Sequence, residues 1–92
     1  MNKMLTVIYW DDINKQVIKN YSIPENGLDE FISEATELLE TKQFFWVNTV
    51  HIDKKTYVRE FADKEYGLAC SLIVCGGMVT NINQIKKNEK SY

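Results

Sequence analysis

His51 is the sole histidine in the 92-residue chain, so no multi-histidine metal site can form. Neither a serine nor a cysteine stands at a spacing that would pair it with this imidazole as a nucleophile. Flanked by Val50 and Ile52, His51 belongs on the strand face opposite theirs, and a pH-sensing role would show as a stability change near its ordinary titration, about pH 6.5. Asp11, Asp12 and Asp53 are the carboxylates that could gather around a hard cation, yet paired acids beside a chain reversal are ordinary turn formers. Gly76-Gly77 lacks the further glycines and the Lys-Ser/Thr of a phosphate loop and reads as a turn. Cys70 and Cys75 are five apart, which on a strand puts them on opposite faces with Cα atoms roughly 16 Å apart, beyond disulfide reach. They read as reduced core fillers. Nothing in this set names a reaction, so the chain is expected not to be an enzyme and to need neither metal nor cofactor.

Two patterns invite recognition rather than catalysis. Glu30, Glu34 and Glu37 recur at four- and three-residue steps, with Glu40 continuing the row, so on a helix their carboxylates line one face about 5–6 Å apart. Such a row resembles a line of phosphates and suits a basic groove, although a solvated helix face would have the same pattern. The second pattern is aromatic: Tyr9 and Trp10 are neighbours, as are Phe45 and Trp46, and strand alternation sends one of each pair to either face. A single helix covers one face of a sheet, so part of this set is expected on an open second face, where Trp and Tyr favour protein contacts. Stacking of bases is the weaker use, because 11 basic side chains face 13 acidic ones for a net charge of −2 and no basic stripe exists to draw in phosphates. No nucleic-acid partner is expected.

The elements that position these residues follow from periodicity. Leu28, Phe31, Ile32, Ala35, Leu38 and Leu39 recur with the helical period and predict an amphipathic helix over Leu28–Lys42, with Asn26 or Gly27 near its N-cap and Asp29 and Glu30 at its positive end. Before it, Lys3–Trp10 and Gln16–Ile23 read as a hairpin joined by about four residues, ended by Pro24. After it, Gln43–Asp53 is apolar on both faces at its start and alternating at its end, and is expected to be the central strand. Thr56–Phe61 pairs back, and Leu68–Cys75 precedes a Gly-Gly hairpin into Met78–Ile82. Residues 54–75 also carry a helical alternative ending at Gly76, but Gly67 mid-helix would cost near 1 kcal/mol. The expected fold is α+β: ββα followed by a β-meander, one amphipathic helix on a mainly antiparallel sheet.

Length bounds the rest: 92 residues make one small domain, placed at 1–85, with 86–92 as a disordered lysine-bearing tail. The N-terminus is too short in apolar residues for a signal peptide, and the run Leu72–Cys75 is far below the ~20 residues of a membrane span, so a cytoplasmic location and no membrane partner are expected. Ten of the eleven basic residues are lysine, a usage that follows an AT-rich coding sequence and suggests a low-GC bacterium or a phage or plasmid within one. Together these features read as a small protein-interaction module, an accessory or inhibitor protein of a mobile element, acting as a homodimer or docked on a protein partner. Its contact residues would be Tyr9, Trp10, Phe45, Trp46, Glu30, Glu34 and Glu37. The alternatives are a ligand-binding or enzymatic domain with a helix-sheet pocket drawing on His51, Asp53 and Arg59, and a structural homo-oligomer.

Overall fold

A computed structural model describes residues 3–53, 55–65 and 67–76. Strands β1 (Met4–Asp11) and β2 (Gln16–Pro24) form the hairpin, and a short 3-10 turn over Glu25–Gly27 leads into helix α1 (Leu28–Thr41). Strands β3 (Phe44–His51), β4 (Tyr57–Asp63) and β5 (Gly67–Cys75) follow. They join one sheet in the order β2-β1-β5-β4-β3, each neighbouring pair antiparallel. The expected α+β architecture is therefore present, with one helix against a five-stranded antiparallel sheet among the described residues.

The turns follow from side chains that bond their own backbone. Asp11 Oδ1 accepts hydrogen bonds from the Ile13 and Asn14 amides at 2.9 and 3.1 Å, and Asn14 Nδ2 donates to Asp11 Oδ2 at 2.8 Å. Asp53 Oδ1 repeats the device between β3 and β4, accepting from the Lys55 and Thr56 amides at 2.8 Å each. Both are Asx turns, with the chain reversal written into one acidic residue. Gly76 ends the described residues where a side chain has no room: an added Cβ would collide with the Lys55 carbonyl oxygen.

Helix α1 starts at Gly27 without a side-chain cap, and Asp29 and Glu30 face its positive end. It stops at Lys42, after which Gln43 takes the left-handed conformation with φ 68°. Its apolar stripe, Ile32 and Leu39 at the centre with Leu28, Phe31 and Ala35 beside them, packs on Val7, Phe61, Cys70, Leu72 and Val74 of the sheet.

Three expectations need correction. The central strand is β5, and β3 lies at an edge. Every β5 residue from Ala69 to Cys75 is buried, whereas no residue of β3, which has one neighbour in the sheet, is fully buried. The helical alternative for 54–75 gives way to β4 and β5. Finally, the second sheet face is not open: Ile8, Trp10, Val58, Ile73 and Cys75 form their own buried cluster there, with Trp10 only 3 % exposed. The physical reason lies in β1, β4 and β5, which carry apolar residues at both parities and so ask for cover on both sides. Cys70 and Cys75 are free thiols in the two separate clusters, as their odd spacing required. The expected strand Met78–Ile82 and tail 86–92 lie outside the described residues.

Candidate functional site

The site begins with one extra residue. Trp46 opposes Phe61 on β4 and Asn48 opposes Glu60, so Val47 is unmatched and forms a β-bulge. Opposed residues of an antiparallel pair share a face, and the bulge resets the alternation of β3. Trp46, Thr49 and His51 therefore all face the helix side, which strict alternation forbids for the first two. The indole is then pinned, its Nε1 donating to the Asn48 carbonyl and to Thr49 Oγ1 at 3.1 Å each.

Arg59 stands opposite Thr49 on β4, and its guanidinium carbon lies 3.8 Å from the centroid of the Trp46 ring. That is a close cation–π contact of a guanidinium with an indole, the aromatic ring that holds cations best. The same guanidinium donates from Nη1 to Thr36 Oγ1 at 3.1 Å, and that hydroxyl donates to the Ile32 carbonyl at 2.7 Å. Thr36 thus sits on the buried stripe of α1 as a polar bolt between helix and sheet. The Nε of Arg59 is buried without a hydrogen-bond partner.

Around this stack opens a groove of about 500 Å³, walled by Asp29, Ser33, Thr36, Glu37 and Glu40 of α1 and by Trp46, Tyr57 and Arg59 of the sheet. The helix members recur at three- and four-residue steps along one flank of α1. Three carboxylates face one guanidinium, so the groove is acidic in balance. Burial pushes the Tyr57 phenol above its ordinary value, with Arg59 opposing and Asp29 adding to the rise. A concave site of this size with an exposed indole suits a cationic or amphipathic side chain.

The residues singled out from the sequence divide among several places. Trp46, 50 % exposed, and Glu37 meet in the groove, while Glu30 and Glu34 are exposed on the outer face of α1. Tyr9 is half-buried on the helix side, beside a smaller cavity of about 130 Å³ that Tyr21, Phe31 and Leu38 also line. Trp10 is buried on the second face and cannot act as an exposed contact. Phe45 is half-buried, with Lys64 Nζ 5.4 Å from its ring. Of the alternative set only Arg59 enters the groove: His51 is exposed with its ring 5.8 Å from that of Tyr57, and Asp53 is occupied in its turn. Asp11 and Asp53 do not converge, since Asp11 pairs with Cys70 at one end of β5 and Asp53 follows β3 beyond the other.

Sequence reasoning missed Asp29, Thr36, Glu40 and Tyr57 as groove residues, and a buried polar group on the second face. There the Ser71 hydroxyl donates to Asp12 Oδ2 at 2.6 Å and Asn48 Nδ2 donates to Glu60 Oε1 at 3.4 Å. Thr36 was the readable signal, a hydroxyl four residues after Ile32 in an otherwise apolar stripe. Comparison with protein-family models, with curated proteins and with solved structures finds no match for this chain, so the site is read from its own geometry.

Proposed function

We propose that the chain is a non-enzymatic protein-interaction module that engages a positively charged partner surface through the outer face of α1 and the groove beside it. One observation carries the reading. The 14-residue helix holds five carboxylates, Asp29, Glu30, Glu34, Glu37 and Glu40, and no basic residue, and three of the five converge on a groove with a half-exposed indole. Like charges at helical spacing cost a few tenths of a kcal/mol each, so this face is mildly unfavourable for the free chain. A lysine or arginine entering the groove relieves that repulsion by meeting its carboxylates, and its aliphatic stem can lie against the exposed part of the Trp46 indole. The aromatic part of the surface is Trp46; Trp10 has no place in it.

Lysine-rich codon usage makes a low-GC bacterial lysate the source in which to seek the partner. Immobilised chain should capture a basic protein from such a lysate, and the Glu30→Lys, Glu34→Lys, Glu37→Lys triple variant should lose it at an almost unchanged melting temperature. Capture retained by the triple variant contradicts the reading.

A second reading places a small cationic ligand in the groove, favoured by the convergence of Ser33, Thr36, Tyr57 and Arg59 with the carboxylates. It predicts a rise in melting temperature with simple diamines, absent in a Trp46→Ala variant.

A further inference from the structure

Within the proposed use of the groove, on which this inference rests, the partner can be named from charge and position. Strand β2 carries no carboxylate from Gln16 to Pro24, and Lys15 and Lys19 stand on and beside it among exposed Ile13, Val17 and Ile18. This basic, apolar edge complements a groove of carboxylates and indole. The two surfaces lie on opposite edges of the sheet, about 19 Å apart across four strand spacings, so the β2 edge of a chain does not reach the groove of that same chain.

The topology brings them together between copies. Four antiparallel pairings in succession leave β2 and β3 running in the same direction. A copy translated sideways along its own sheet therefore sets its β2 beside β3 of the first, with both helices on one side. Lys19 opposes Tyr9 and so faces that same helix side, where its Nζ stands 5.2 Å from the Tyr21 ring. Both edges carry bulges, at Ile18 and at Val47, which interrupt a continuous backbone ladder. The contact is accordingly one of side chains.

We infer that the groove between α1 and β3 receives the Lys15–Lys19 edge of a second copy of this chain, giving head-to-tail self-association. Sedimentation velocity of the full chain tests it. At low salt the sedimentation coefficient should rise with concentration into the high micromolar range, and at about 1 M salt, where the screening length is about 3 Å, the rise should vanish. The double variants Glu37→Lys/Glu40→Lys and Lys15→Glu/Lys19→Glu, each checked for native circular dichroism, should associate at least about tenfold more weakly, a loss near 1.4 kcal/mol. An equimolar mixture of the two should regain association, because each basic surface then meets an acidic one. Wild-type chain that stays monomeric throughout overturns the inference, as does a mixture that fails to regain association. If that monomer still binds an oligolysine peptide, detected by Trp46 fluorescence, the groove keeps its preference for cations and only the second copy is excluded.

Discussion

Trp46 and Arg59 are thirteen positions apart in the sequence, and their contact depends on Val47, the residue of β3 that nothing on β4 opposes. Deleting Val47 removes the bulge, returns β3 to strict alternation and forces either Trp46 or the Thr49–His51 segment to the wrong face. The deletion variant should lose the Trp46 indole N–H resonance position and melt well below wild type; an unshifted indole signal would show that the bulge does not place the ring. Arg59→Lys keeps the charge but not the planar stack or the fork of donors, so it should lower the melting temperature almost as much as Arg59→Ala. Neither the bulge nor the stack was legible in the sequence. A bulge is one residue of register, and register is set by the partner strand. Thr36 on the apolar stripe was the only trace of a polar tie.

Tyr9 and Cys70 give the residue scale a pH dependence. Burial, with Cys70 adding, raises the Tyr9 phenol from its ordinary 10.0 to about 12. Burial raises the Cys70 thiol from 9.0 to about 11, opposed by the hydrogen bond to Tyr9 and assisted by Asp12 and Asp11. Both groups hold their protons longer when folded than when unfolded. Their stabilisation is complete below pH 9 and is lost as pH rises from about 9 to about 12. Urea midpoints should fall across that window, and Tyr9→Phe should flatten its upper part; an equally steep fall in the variant would assign the dependence elsewhere.

At the scale of elements, hydrophobic period served well. The helix starts at the expected Leu28, and the hairpin loop is the expected four residues. What period could not decide was rank within the sheet. A strand apolar on both faces for half its length, as β3 is, looks central until compared with β5, which is buried for most of its length. Leu39 is the deepest apolar anchor near the end of α1, and Leu39→Ala should cost about 2–5 kcal/mol by chemical denaturation. Gln43 holds a left-handed conformation that glycine adopts freely, and Gln43→Gly should stabilise the chain by about 0.5–1 kcal/mol. A destabilised Gln43→Gly variant would mean that the glutamine side chain contributes more than its backbone strain costs.

For the whole molecule, the expectation that bulky rings crowd an open sheet face fails because each face of the sheet carries a buried cluster, Trp10 included. Among the described residues, the large exposed ring is Trp46, at the edge of the sheet. The proposed recognition surface accordingly moves from a flat face to a groove along one edge, where an acidic helix flank and one pinned indole meet, and the opposite edge carries the complementary charge. No described helix is long and apolar enough to cross a membrane, and α1 is the only described helix with a charged face of one sign. A titration of isotope-labelled chain with a short lysine peptide, followed by amide and indole N–H resonances, tests the groove most directly. Shifts centred on Thr36, Glu37, Glu40 and the Trp46 indole, and abolished by Glu37→Lys/Glu40→Lys, are the expected result. Shifts scattered over the outer carboxylates with the Trp46 indole unmoved, or no shifts at all, would contradict it.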